Sequence, residues 1–342
     1  MLLYKVVVET TSHFVTPLKG DTLFGHFCWA YRERHGKSQL EQVLLAGYTN
    51  NQPKIIFSDA YNHDYLFLPK YIYDRFGFSY DATKRKEIKA RKYLPLTTLL
   101  NPKMSLKKIW QNTVEQSAQD SACNAKEAQI ATLINFAQTH NTINRVLGTT
   151  SSGIFAPYNT EVFTYKRFMP LNDKNYNKQD NNLPIKLDIY IMLNEDFFQQ
   201  LGQNSLVELI NDIGTHGFGA DASIGKGKFT LSEIKPIDLN YSGVKSGFTL
   251  APAIIDATQD KITDQFYDVF TRFGRHGNIM AHSQQVFKQP VTMMNSNAFI
   301  LFQDQAQPFI GNGLINSQCS INNETHIGYV QAYSMIIPLA VD

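Results

Sequence analysis

The sequence predicts an α+β protein in which a β-α-β-β-α-β unit is followed by a second, looser half. Three observations carry this. Leu3–Glu9, Ile185–Leu193 and Lys228–Ile234 are rich in β-branched and aromatic residues, as strands are. Asp21–Arg34 places Leu23, Phe24, Phe27, Cys28 and Tyr31 on one helical face. "GTHGFGADASIGKGKF" (Gly214–Phe229) sets a glycine-rich corner between a helical pattern and a strand pattern.

Taken in order, Leu3–Glu9 is a strand and Asp21–Arg34 an amphipathic helix. Lys54–Ser58, "KIIFS", is a short strand. Residues 69–92 are mixed and basic, and Lys126–Thr139 reads as a helix. Asn144–Tyr165 alternates turn residues with β-formers, as a long hairpin does. "NDKNYNKQDNN" (Asn172–Asn182) is a polar loop. Ile185–Leu193 is a strong strand, Glu195–Ile213 a helix, and Lys228–Ile234 a strand after the glycines. The order strand, helix, strand, insertion, strand, helix, strand is compatible with a ferredoxin-like unit. Beyond Pro236, "SGFTLAPAI", "KQPVTMM", "NAFILFQ" and "GYVQAYSMIIPLAV" read as strands, with a helical piece near Ile262–Phe273. The expected division is therefore 1–236 and 237–342, the second part a degenerate copy of the first.

Composition narrows the class. With 342 residues, 43% of them hydrophobic, the chain can bury a sizeable core. No run approaches the roughly 20 apolar residues of a membrane helix. "MLLYKVVVET" starts as a strand, without a basic leader or cleavage site, which points to a cytoplasmic protein. The three cysteines, Cys28, Cys123 and Cys319, lie far apart, against a disulfide framework or a cysteine-rich zinc site.

The net charge of +2 is unevenly spread: Leu66–Trp110 holds eleven Lys/Arg against three Asp/Glu. Its densest piece, "KRKEIKARK" (Lys84–Lys92), places Arg85, Lys89 and Lys92 on one face if helical. That suits a polyanion, or a solvated helix face.

Two corners bear on anion binding. In the glycine corner, Lys226 and Lys228 interleave with Gly225 and Gly227, and Ser223 can donate a hydrogen bond. Exposed amides plus lysines would cradle a phosphate, while the plain alternative is a structural turn. The order helix–glycines–strand is the reverse of a dinucleotide-binding fingerprint, and no Walker A motif occurs. In "TPLKGDTLFGHFCWA" (Thr16–Ala30), Lys19, Gly20 and Thr22 stand at a helix N-terminus, where free amides favour an anion. Asp21, which would repel phosphate, fits a capping or first-turn role with Lys19 facing outward. His26 follows about one turn later.

Other chemistries find little. No HExxH occurs, the one HD dipeptide, within "NHD" (Asn62–Asp64), lacks an evident partner set, and no cofactor motif stands out. Nine histidines are available for acid–base work, among them His13, His26 and His35, but no spacing singles out a pair. A small-molecule enzyme with a phosphate-binding glycine loop would require an apolar pocket near Gly217–Lys228.

"FGADASIGKGKF" resembles the glycine-rich loop of the RAMP superfamily, the RNA-recognition-fold subunits of CRISPR effector complexes. "TPLKGDTLFGHFCWA" is similar to the early segment of its type III (Csm-like) branch, the counterpart of the Cascade fifth subunit. "FSDAYNHDYLFLPK", "KRKEIKARKYLPL", "FKQPVTMMNSNAFILF" and "HIGYVQAYSMIIPLAV" also resemble this branch, although "MNSNAF" stands where an acidic–glycine–serine turn is common. The resemblance implies two ferredoxin-like halves, a protruding hairpin near 140–168, and no catalysis. It implies a role capping the 5′ handle of the crRNA and bridging the large signature subunit to the backbone subunits in antiviral defence. Phosphate and base contacts would then fall to Lys19, Gly20, Thr22 and His26, to Arg145, Ser151, Ser152 and Arg167 of the hairpin, and to Ser223, Gly225, Lys226, Gly227 and Lys228. Tyr158, Phe155 and Phe163 are candidate stacking platforms. The alternative within the superfamily is a metal-independent crRNA-processing endoribonuclease.

Overall fold

The computed structural model describes residues 1–69, 91–100, 109, 111–115, 130–150, 152–167, 184–277, 286–321 and 324–339. The first sheet is built from β1 (Leu2–Thr10), β2 (Ile55–Asn62), β8 (Ile185–Leu193) and β9 (Phe229–Pro236). Its order is β2-β8-β1-β9, with every neighbour antiparallel. β8 is buried throughout Leu187–Leu193, so this sheet is covered on both faces.

Helix α1 (Gly20–Gln39) lies on one face and buries Leu23, Phe24, Phe27 and Tyr31, the face that the apolar spacing predicts. Each fully buried Leu or Phe contributes about 1.5–3 kcal/mol. Burial pushes the Cys28 thiol up to about 12, so it packs as a neutral hydrophobe. α1 starts close to β2 because Gly20 has no side chain: a Cβ there would stand 2.3 Å from the Phe57 carbonyl oxygen. The helix expected over Glu195–Ile213 is two helices, α2 (Glu195–Leu201) and α3 (Gln203–His216), broken at Gly202 with φ 77°.

Between β2 and β8 lie two small sheets. One pairs β3 (Tyr65–Phe67), β4 (Arg91–Pro95) and β5 (Val114–Glu115). The other is a ribbon of β6 (Ala131–His140) and β7 (Tyr158–Arg167) in unbroken register from Ala131↔Arg167 to His140↔Tyr158. The predicted hairpin is therefore real but longer, and the helix expected over Lys126–Thr139 is corrected to its first arm. Much of β6 is exposed, so the strand lacks the alternation that would reveal it, while its apolar residues mimic helical spacing. Its partner decides the outcome, through Asn135–Glu161 (3.0 Å) and Thr139–Asn159 (2.8 Å) across the ribbon. Lys92 stands on β4, which corrects the helical face drawn through Arg85, Lys89 and Lys92. Arg85, Lys89, Ser151 and the loop Asn172–Asn182 lie outside the described residues.

The second sheet follows Pro236. It orders β11 (Ile262–Phe266), β14 (Phe299–Phe302), β10 (Ser246–Thr249), β16 (Glu324–Pro338) and β15 (Phe309–Ile321), beside a ribbon of β12 (Val269–Arg272) and β13 (Val291–Met294). The helical piece expected near Ile262–Phe273 is thus two strands. Its β-branched and aromatic residues pair with β14 and β13, and tertiary pairing overrides the local pattern. Among the described residues of this half there is no helix.

The two sheets share one core. Leu250, Phe299, Tyr333 and Ile337 belong to the same buried cluster as Val6, Phe27 and Ile191. Gln331 of β16, fully buried, accepts from the Phe57 amide (2.9 Å) and donates to its carbonyl (2.7 Å). Its side chain thus completes the edge of β2 as a neighbouring strand would. Among the described residues no helix is long and apolar enough to cross a membrane.

Candidate nucleic-acid interface

The mouth of α1 is already filled by a carboxylate of the protein itself. Asp59 Oδ1 accepts from the Gly20 amide at 2.9 Å, while its Oδ2 accepts from Lys19 Nζ at 2.8 Å and from Ser296 Oγ at 2.7 Å. Lys19 also donates to Asn295 Oδ1 (3.0 Å), and the Thr22 amide donates to the Lys19 carbonyl (3.0 Å). An external phosphate would have to displace Asp59, so Lys19, Gly20 and Thr22 are corrected from anion site to internal lock. Asp21 stands in the first turn, as one of its two expected roles has it, but does not cap the helix: Arg272 of β12 grips its carboxylate at 2.6 and 3.0 Å. Burial raises the Asp21 pKa and Arg272 opposes it. The corner ties α1 to the second half through the Asp21–Arg272 ion pair and through the hydrogen bonds of Lys19 to Asn295 and of Ser296 to Asp59.

His26 is likewise turned inward. Its Nε2 accepts from the Gly219 amide at 3.1 Å, and burial lowers its pKa to about 4. A neutral imidazole with Nε2 engaged supports the glycine loop, which corrects its expected contact with RNA. His35 lies further along α1 against Tyr31, with ring centroids 4.5 Å apart.

The glycine loop does not offer a row of free amides. Those of Phe218, Gly225 and Gly227 donate to the carbonyls of Gly227, Ala222 and His13 at 2.9, 3.0 and 2.7 Å. Those of Ile224 and Lys226 both reach the Asp221 carbonyl, and those of Ala220 and Lys228 reach Thr16 Oγ1 and Ser12 Oγ. The amide cradle expected at Gly225 and Gly227 is corrected accordingly. Gly227 has φ 71°, and a Cβ there would stand 2.1 Å from the Phe218 carbonyl oxygen. The glycine serves a tight crossing of two backbones.

The loop does present charge. Lys226 Nζ donates to Gln138 Oε1 of β6 (2.6 Å), and Lys228 Nζ donates to the Thr215 carbonyl at the end of α3 (3.0 Å). Both partners are neutral, so both ammonium charges stay uncompensated by these contacts. Exposed His13 joins them against Phe136, with ring centroids 5.2 Å apart. Burial, then Lys226 and Lys166, hold its pKa below the usual value. Ser223 is exposed on the single turn Ala222–Ile224.

The middle of the ribbon meets this loop through Phe136 and Gln138, and the Phe14–Phe163 backbone pair anchors it there. Arg145 and Ser152 are exposed beyond the paired arms, and Arg167 closes β7. Of the candidate platforms, Phe163 is core, 5.9 Å from the Phe14 ring centroid. Tyr158 is exposed and stacks on His140 at 5.3 Å. The structure thus brings His13, Lys166 and Lys226 together where loop and ribbon meet, while Lys228 and Ser223 lie elsewhere on the loop.

Distant residues also supply partners for "NHD". Buried Asp188 of β8 stands 2.7 Å from His63 Nδ1 and accepts from the Asp64 amide at 2.7 Å. The Lys5 ammonium bridges Asp64 and Asp188, the latter at 3.6 Å. Burial lowers the Lys5 pKa, but the two carboxylates outweigh it. His63, Asp64 and Asp188 have the donor types of a metal site, yet Lys5 already supplies the cation.

The sequence matches the family model of the RAMP superfamily over residues 8–230. No curated protein matches it significantly. Among solved structures, a Csm1–Csm4 cassette in complex with cA4 aligns at TM-score 0.54 and 13% identity, covering 99% of this chain and 98% of the other. A Csm3–Csm4 subcomplex of the type III-A CRISPR–Cas interference complex aligns at TM-score 0.54 and 12% identity, covering 99% of each chain. Csm4 is the component common to both, and its fold extends over this whole chain. With the family model matched over more than half of its length, the chain belongs to the RAMP superfamily.

Proposed function

We propose that this chain is the Csm4-like subunit of a type III CRISPR effector complex: a non-catalytic, cytoplasmic RNA-binding protein that caps the 5′ handle of the crRNA. In this reading it joins a Csm1-like large subunit to Csm3-like backbone subunits. The observation that carries it is the likeness to Csm4 over the whole chain, in structures where Csm4 accompanies Csm1 or Csm3. The order β2-β8-β1-β9 with two helical connections supports a ferredoxin-like first half, and Pro236 the boundary with a divergent second half.

The RNA-facing surface in this reading is the junction of glycine loop and ribbon. Lys226, Lys228 and Lys166 supply phosphate contacts, Ser223 and Ser152 polar ones, and Arg145 reaches past the paired strands. Tyr158 and His140 offer a stacking surface for an unpaired base. Co-expression of the tagged chain with its genomic neighbours, followed by end-mapping of bound RNA, tests the reading. The expected result is short RNAs sharing one fixed 5′ end, together with a large partner subunit. A chain recovered alone and free of RNA contradicts it.

A further inference from the structure

We infer that the cavity between α1 and the second sheet is a binding pocket for one phosphorylated nucleotide. The cavity holds about 280 Å³, near the lower end for small-ligand sites. Its walls are α1, the end of β12 and the middle of β15 and β16.

Its chemistry is that of a nucleotide site. Arg32 stacks on Trp29, with Cζ 5.0 Å from the ring, and both line the cavity. Arg275, also lining it, stacks on the exposed ring of Phe287 at 4.9 Å. Paired arginines and aromatics of this kind hold a base face and a phosphate side by side. Lys288 lines the interior, and its ammonium has one hydrogen bond among the described residues, a long one to the Tyr329 carbonyl at 3.4 Å. Of the two carboxylates on the wall, Asp21 and Glu41, Asp21 is gripped by Arg272, and no ion pair joins Lys288 to either among the described residues.

Asn316 adds a different demand. It is 7% exposed, it lines the cavity, and its Oδ1 has no partner among the described residues. Its amide nitrogen donates to the Gln289 carbonyl at 3.3 Å, which fixes Oδ1 as an acceptor. A bare phosphate dianion brings no donor to Oδ1. A nucleotide brings both an anion for Lys288 and the arginines, and a ribose hydroxyl or base amine for Asn316. A free mononucleotide and a nucleotide of an RNA strand share this chemistry. The inference deepens the RNA-binding reading and can fail without it.

Trp29 reports on the site, because it is one of two tryptophans in the chain. The full chain is titrated with AMP, UMP, adenosine, inorganic phosphate and a 5′-phosphorylated RNA oligonucleotide, following fluorescence against a Trp29→Phe control. The expected result is saturable quenching by a mononucleotide, lost in the control. Adenosine and phosphate should bind at least tenfold more weakly. Arg275→Ala, at an exposed side chain, and Lys288→Met, which keeps the buried stem, should each weaken binding tenfold or more with an unchanged Tm. RNA that competes with the mononucleotide identifies a strand as the source; RNA that does not identifies a free nucleotide, and both support the pocket. Absence of saturable quenching, or quenching untouched by both substitutions, overturns it. RNA retention on filters that persists in both variants without mononucleotide binding sinks the pocket alone. Loss of RNA retention by the unaltered chain sinks the RNA-binding reading.

Discussion

Lys19–Gly20 and Lys226–Gly227 are both lysine–glycine pairs beside a helix end, and both look like anion sites in the sequence. At the first, a carboxylate 39 residues from Gly20 sits on the glycine amide and on the lysine. At the second, the glycine amide meets a carbonyl, the lysine meets a side-chain amide, and no carboxylate intervenes in these contacts. The glycines do similar work in both, permitting a close approach of backbones. The charges are met differently: one is paired inside with a carboxylate, the other has only a neutral side-chain amide as partner. What separates them is the partner, which the local motif does not contain.

The contrast breaks most readily at the lock. Asp59→Ala leaves Lys19 and the Gly20 amide facing a half-buried space. Removing one partner of such a pair should cost about 3–5 kcal/mol, read as a drop in the urea midpoint. An Asp59→Ala chain as stable as the parent would show that the pair is ornamental.

His26 gives the next largest effect, and a pH signature. Its pKa is about 4 in the folded chain against an ordinary 6.5, so the unfolded chain binds the proton first as pH falls. Its contribution is therefore complete above pH 6.5 and declines toward pH 4, by about 3 kcal/mol in full. His26→Gln, which keeps an acceptor for the Gly219 amide, should flatten that part of the stability–pH curve. A curve of unchanged slope would place the titration elsewhere.

The smallest effects on stability, and the most telling on function, come from the second pair. Lys226→Ala with Lys228→Ala should lower the salt dependence of RNA binding by roughly one unit per lost phosphate contact, with stability changed by about 0.5 kcal/mol or less. Lys19→Met should do the reverse, reducing stability and leaving the salt slope alone. A slope that follows Lys19 instead of Lys226 and Lys228 would invert the assignment.

Much of the first half is legible in the sequence. β8 matches its expected bounds, and β1, β9 and the buried face of α1 follow from β-branched runs and helical spacing. The elements that escape are those whose state depends on a remote partner. β6 carries a helical spacing but is held by β7, and β11 and β12 are held by β14 and β13. β15, "FIGNGLINSQCSI", carries glycines and asparagines that obscure a strand pattern and has no place among the expected strands, yet pairs along nearly all of β16. The site divides in the same way. The lysines, serines and glycines of the loop can be named from their motif. Asp59 with Ser296, Asp21 with Arg272, and Phe57 with Gln331 are more than 200 residues apart, and no local pattern joins them.

The central claim is that guide RNA lies on the loop–ribbon junction while the corner at α1 stays closed around Asp59. Ultraviolet cross-linking of the assembled complex, with mass spectrometry of the linked peptides, tests it most directly. The predicted result is cross-links in Ser12–His13, in the ribbon from Gln138 to Tyr158, and in Gly217–Lys228. Cross-links confined to Lys19–Gly25, with none at the loop or ribbon, would contradict it.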